Sequence, residues 1–247
     1  MPRHLRSPLL ALVATCTLLS AVCADAPRIQ TLSADVLTVA VTTDQPSSPY
    51  DSQLWIRRYV EAFASQQGLT IRWVVVPFNQ SWLRAGHDEV DLVATNVASF
   101  PDRVSPGGTF SAPFLYERRA LRIHPADTGQ YRHINDFAGK RVGVVQGMAA
   151  ERDLRRRAPA GVEIVTTASF PELYEQFDRN ALDAIAEAEY YTRDGVVIPS
   201  HGPEVVLIDL HDLIDGQREE SVFVVRDKSP GLLEAVNAFI ARTRFPL

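Results

Sequence analysis

From residue 37 onward, apolar strand-like runs alternate with segments whose apolar residues fall at helical spacing, and the alternation occurs twice. LTVAVTT (37–43) reads as a buried strand. SQLWIRRYVEAFASQQ comes next, with Ile56, Tyr59, Val60 and Phe63 on one helical face and Gly68 as its stop. TIRWVVV (70–76) is a second strand, NQSWLRAG a short helix and VDLVAT (90–95) a third strand. A β-α-β-α-β order predicts a mostly parallel sheet covered by helices.

The pattern then restarts. RALRIH (119–124) is strand-like, and KRVGVV (140–145) opens a second series that runs through the helix AAERDLRRR to the strand VEIVTT (162–167). SFPELYEQF begins with a capping box, Ser169 with Glu172, and sets Phe170, Leu173, Tyr174 and Phe177 along one face. LDAIAEA (182–188) and EVVLIDL (204–210) complete a second sheet. SVFVVRD (221–227) is a last strand, after which Ser229-Pro230 caps a helix carrying Leu232, Val236, Phe239 and Ile240. Two α/β lobes in one chain predict a ligand cleft between them, floored near residues 119–124 and 220–226, where the chain crosses over.

The first residues bear on compartment. MPRHLRSP is basic, LLALVATCTLLSAV is apolar, and VCADA offers a small-residue cleavage site, which is the pattern of a cleavable signal peptide over residues 1–24. Val22 before Cys23 is a poor fit to a lipidation signal, so a lipoprotein is not expected. Both cysteines, Cys16 and Cys23, leave with the leader, so the mature chain has neither thiol nor disulfide. Loss of Arg3 and Arg6 takes the formal charge from -5 to -7, a poor balance for binding nucleic acid.

Candidate chemistry concentrates in FPDRVSPGGTFSAPF (100–114), which places a lone Arg103 between two prolines directly after a strand. Loops at strand ends hold ligand contacts in α/β proteins, and a guanidinium grips a carboxylate with paired hydrogen bonds. A surface arginine fits this stretch as well. RDLRRR (152–157) reads as the charged face of a surface helix, and DLHDLID (209–215) as a solvated turn without calcium-loop spacing. His87, His124, His133, His201 and His211 show no metal-ligand spacing, so no metal is expected. Trp55, Trp73 and Trp82 fit a core, with Trp82 able to reach a cleft mouth, while Tyr190 and Tyr191 fit core packing and ligand stacking alike. No Gly-x-Ser-x-Gly elbow, mature cysteine nucleophile or phosphate-cradling glycine loop is present, and neither catalytic residues nor a cofactor are expected.

In order and spacing, LTVAVTTD, VDLVATNVASFPDRV with FSAPF, NDFAGKRVGVVQG and ALDAIAEAE resemble the amino-acid-type periplasmic solute-binding proteins, bacterial extracellular solute-binding protein family 3, over roughly residues 35–243. The resemblance implies a two-lobed α/β fold, the periplasmic binding protein type II fold, each lobe a mostly parallel sheet flanked by helices. Lobe 1 would span 25–121 and regain 222–247, and lobe 2 would span 122–221. It implies that Arg103 holds a ligand carboxylate, with Thr95, Asn96 and Ala98 at the positions of the family's small or hydroxyl contacts. It implies a stacking aromatic at Tyr50, and anion binding by the backbone of Gly147, Met148 and Ala149 at a helix N-terminus. Met148 and Ala149 lack the hydroxyl that often stands in that turn. The family's acid for an α-amino group falls on Ala188, flanked by Glu187 and Glu189, and Glu189 is the candidate replacement. A buried ammonium without an anion is costly, so this departure points to a carboxylate ligand that need not carry an amine.

Together the residues and the resemblance imply a monomeric periplasmic protein that captures a small carboxylate by hinge closure and presents it to the membrane subunits of an ABC importer. The alternatives are a periplasmic enzyme resembling cyclohexadienyl dehydratases, or a regulatory or sensing module on the same fold. TGQYRHINDF also resembles part of the binding module of membrane-bound lytic transglycosylases.

Overall fold

The computed structural model describes residues 29–44, 46, 51–203, 205–209 and 219–247. The leader, Tyr50, His211 and most of the 209–215 stretch lie outside the described residues.

The elements run β1 (Val36–Val41), α1 (Ser52–Gln67), β2 (Thr70–Val75), β3 (Leu92–Ala98), β4 (Gly108–Phe110), β5 (Leu115–Ile123), β6 (Arg141–Val145), α2 (Ala149–Arg157), β7 (Glu163–Thr167), α3 (Phe170–Asp178), β8 (Ala184–Tyr191), β9 (Val197–Ile198), β10 (Val206–Asp209), β11 (Glu219–Arg226) and α4 (Leu232–Arg242). The segment NQSWLRAG is not a helix but a single 3-10 turn, Ser81–Leu83, entered through Gln80 in the left-handed region. Gly86 stands close behind it, too soon for a helix to propagate.

Local rules account for most boundaries. Asp51 accepts from the Gln53 N–H to start α1, and Gly68, at φ 68°, ends it. Ser169 caps α3 through the Glu172 N–H, while the Glu172 carboxylate reaches the Ala168 N–H. At α4 the expected cap is displaced. Gly231, at φ 77°, is the N-cap, because the Ser229 hydroxyl instead bonds to Asp91 at 3.2 Å.

The strands form one continuous sheet, ordered β2-β1-β3-β11-β5-β8-β6-β7, rather than two separate ones. Within each lobe the pairs are parallel: β1 with β2 and β3, and β6 with β7 and β8. The long strands β5 and β11 run antiparallel to their neighbours and join the two halves, pairing with each other at Glu219↔Glu117 and Ser221↔Leu115. The expected lobe boundaries fall inside or just beside these two strands.

Each lobe buries apolar side chains on both faces of its sheet. In the first, α1 and α4 bring Tyr59, Phe63 and Phe239 against Phe114, Phe223 and Phe245, with Phe114 and Phe223 stacked at 4.2 Å. Its other face packs Ala40, Val90, Val93 and Val224. In the second, Leu121, Phe137, Val144, Leu154 and Ile208 fill one face, and Leu173, Phe177, Leu182 and Ile185 the other. The region between the lobes is built differently, from charged side chains.

Candidate functional site

β3 carries the chain into the loop that holds Arg103, and it is irregular before it gets there. Val97 pairs with Val222 and Val93 with Val224, so β3 bulges against β11, and Asn96 sits in the bulge at φ 62°. Asparagine tolerates this left-handed conformation better than most residues. Pro101–Arg103 then forms one 3-10 turn with proline at its start. The turn sends Arg103 inward, where it is only 2% exposed.

The guanidinium lies among aromatic rings, 4.7 Å from the Trp82 centroid, 4.9 Å from Phe100 and 5.6 Å from Phe78. Such contacts favour a cation that has lost its water. Burial pulls its pKa down to about 10, helped by the neighbouring Arg152 charge, so Arg103 remains a cation at neutral pH. Its Nη2 donates to the Gly147 carbonyl at 2.6 Å. Its Nε and Nη1 have no hydrogen-bond partner among the described residues. A buried, charged donor group with N–H groups to spare is suited to an anionic acceptor.

The turn before α2 faces Arg103. Gly147 has φ 80°, a conformation that favours glycine, and a Cβ there would also press on the Asn79 amide oxygen at 3.0 Å. The Gly147 N–H is held by Glu151, at 2.6 Å, and the Met148 N–H donates to the Val145 carbonyl at 3.3 Å. Ala149 is buried at the first position of α2. Beside this contact, Arg152 of α2 reaches Asp102 with bonds of 3.1 and 2.5 Å and covers the Phe100 ring at 4.2 Å. The remaining arginines of the 152–157 run stay local: Arg155 pairs with Glu151, and Arg156 and Arg157 with Asp153.

The other positions named from sequence are distributed around this centre. Thr95 is buried, with its hydroxyl 2.6 Å from that of Ser81. Asn96 donates through Nδ2 to Glu117 at 2.8 Å, and its Oδ1 has no partner among the described residues. Ala98 is buried opposite Ser221. Glu189 accepts from the Tyr191 hydroxyl and pairs in register with Arg118, which puts it on the opposite face of β8 from Ala188. Tyr190 meets Trp55 edge-on at 6.1 Å.

Sequence reasoning missed a second buried arginine. Arg119 on β5 is as buried as Arg103, and its Nη2 donates to Glu117 at 2.5 Å and pairs with Glu219 at 3.0 Å. The Ser221 hydroxyl and Asn96 complete the set around Glu117. Burial pulls the Arg119 pKa down, but Glu117 and Glu219 outweigh it and the net direction is up. The sequence placed residues 119–124 and 220–226 at the cleft floor, which was the available signal, but it singled out no side chain there. On the opposite face of β8, Glu187 is buried with Oε2 3.4 Å from His201 Nε2 and Oε1 3.9 Å from Arg122. Burial pushes the Glu187 pKa up to about 7, against the pull of Arg122 and of the nearby Tyr174 hydroxyl.

No protein-family model and no curated protein sequence matches the chain. Solved structures do. An amino-acid ABC transporter substrate-binding protein of Streptococcus pneumoniae, bound to L-arginine, aligns with a TM-score of 0.67 at 20% identity over 84% of this chain and 88% of that one. The arginine-bound form of truncated ArgBP from T. maritima aligns at 0.67 and 17% identity over 85% and 97% of the two chains. An ancestral amino-acid-binding protein, described as a precursor of cyclohexadienyl dehydratase, aligns at 0.65 and 18% identity over 84% and 88%. At these identities what is shared is the fold. The chain therefore has the two-lobed α/β architecture of type II periplasmic binding proteins, as expected from its sequence.

Proposed function

We propose that the protein is a solute-binding protein of the amino-acid-receptor type, which takes a small carboxylate between its lobes and closes on it. The observation that carries this reading is Arg103, a buried cation with two nitrogen atoms unpartnered among the described residues, in contact with the turn of the opposite lobe. The neighbouring folds of amino-acid-binding proteins support it. In this reading lobe 1 is 25–121 with 222–247, lobe 2 is 122–221, and β5 and β11 are the hinge strands. The aromatic rings around Arg103 exclude water and strengthen its attraction for an anion. Bringing Gly147 to Arg103 then seals the carboxylate inside. The membrane subunits of an ABC importer are the partner this mechanism serves, by recognising the closed monomer. Export through the leader would place the mature chain, starting at Asp25, in the periplasm.

Native mass spectrometry tests the reading directly. The mature protein, purified without denaturation, is expected to carry one carboxylate-bearing small molecule per chain, released on unfolding. A tightly bound solute with no acidic group would sink the proposal.

A further inference from the structure

We propose that Arg119 forms a second ligand-contacting subsite, and that the solute is a carboxylic acid bearing a neutral oxygen, of the 2-oxo or 2-hydroxy acid class. The proposal rests on the reading that Arg103 takes the carboxylate, and it assigns what lies beside that group.

The charge around Arg119 is complete, but its hydrogen bonding is not. One guanidinium faces two carboxylates, Glu117 at 2.5 Å and Glu219 at 3.0 Å, both contacted through Nη2 alone. Nε and Nη1 are buried and have no acceptor among the described residues. Arg103 is in the same condition at the same two atoms. Beside these four nitrogens stand two buried acceptors without a hydrogen-bond donor among the described residues: Oδ1 of Asn96, whose own Nδ2 is committed to Glu117, and Oε2 of Glu219, which is ion-paired with Arg119. Donors still outnumber acceptors. Asn96 and Arg119 meet on Glu117, and the strand that holds Asn96 leads directly into the turn that holds Arg103, so the two guanidiniums border one polar region. A buried N–H without an acceptor is unfavourable, and a region rich in such donors selects oxygen-rich ligands.

The register of β5 against β8 narrows the class. Ala188 lies directly across from Arg119, and cross-strand partners share a face. A ligand group above Ala188 therefore meets a guanidinium edge and no acid from residue 188. An ammonium there would face the Arg119 cation. A second carboxylate would add a third anion to a cation that already has two. A carbonyl or hydroxyl oxygen carries no charge, accepts from Nε or Nη1, and, when it is a hydroxyl, can donate its hydrogen to Asn96 Oδ1.

Matched carbon skeletons test this on the mature full-length protein by thermal shift and calorimetry. One set is pyruvate, L-lactate, L-alanine and malonate. A second is 4-methyl-2-oxopentanoate, 2-hydroxy-4-methylpentanoate and leucine, and a third is phenylpyruvate, phenyllactate and phenylalanine. In at least one set the oxo or hydroxy acid is expected to bind tenfold or more tighter than its amino acid, with malonate weaker than pyruvate. Arg119→Lys keeps a cation for Glu117 and Glu219 and removes the extra N–H groups, so it should erase most of that preference. If Arg119→Lys does not fold, the wild-type ranking alone decides. An amino acid or dicarboxylate that binds as tightly as its oxo acid, with binding still lost in Arg103→Ala, overturns the Arg119 subsite and leaves the carboxylate reading standing. Acids that produce no shift in any set, for the wild type as for Arg103→Ala, overturn both.

Discussion

Arg103 Nη2 donates to the Gly147 carbonyl across 2.6 Å, which ties the loop after β3 to the turn before α2. In the proposed reading the same side chain bears on both capture and closure: its charge would take the anion, and Nη2 would meet the turn of the other lobe. Gly147 holds its φ of 80° without the strain a side chain would bring, and a Cβ there would press on Asn79.

Arg103→Ala should weaken binding of a carboxylate by roughly 2–5 kcal/mol, because a charge-assisted pair in a water-poor site is lost. Titration calorimetry against the solute identified by mass spectrometry reads this directly. Unchanged affinity would remove Arg103 from the site.

Arg152 and Asp102 make a second bridge between the same segments, but both side chains are about half exposed. Such pairs contribute at most about 1 kcal/mol and are screened by salt. Arg152→Gln should therefore shift the population of closed molecules modestly toward open ones, with little change in melting temperature. X-ray scattering at low and high salt checks this, and the wild type in high salt should move in the same direction as the variant. A large loss of thermal stability would mean that the bridge supports the fold rather than closure.

The parts of this architecture that depend on neighbours in sequence were legible, and those that depend on register were not. Ile56, Tyr59, Val60 and Phe63 are all buried on α1, as their spacing required, because a helix meets its core through residues three and four apart. Arg103 stood out because prolines and a strand end surround it in the chain. Arg119 did not stand out. Its burial depends on Glu219, far along the chain, coming alongside Glu117 when β11 pairs with β5. The continuity of the sheet has the same origin, since both joining strands are antiparallel and pair across long stretches of chain. Gly231 displaced Ser229 as a cap for a related reason: Asp91, distant in sequence, holds the serine hydroxyl.

A binding protein returns its ligand unchanged, whereas an enzyme of the cyclohexadienyl dehydratase kind turns over many equivalents. Incubation with excess prephenate or arogenate is expected to yield no aromatic product by ultraviolet absorbance or chromatography. Repeated turnover that disappears when Glu187 and Glu189 are both changed to glutamine would reverse the assignment.

Glu187 makes stability depend on pH with a defined sign. Its carboxyl is buried by β8 and faces His201, Arg122 and Tyr174, and its pKa rises from 4.5 to about 7 on folding. Between those values the folded state holds a proton that the unfolded chain has released, so stability falls as pH rises through this window. At about 1.4 kcal/mol for each pH unit, the loss from this group amounts to roughly 3 kcal/mol, complete above pH 7. His201 works the other way: burial lowers its pKa below 6.5, so its contribution rises with pH until the unfolded histidine is also neutral. Glu187→Gln removes the first effect and keeps a neutral side chain of similar shape. The melting temperature of the wild type should therefore fall relative to that of Glu187→Gln between about pH 5 and 7.5, with the two curves running parallel above that range. Parallel curves over the whole range would mean that Glu187 is ionised in the folded protein near its ordinary pKa, with Arg122 and His201 holding it as an anion.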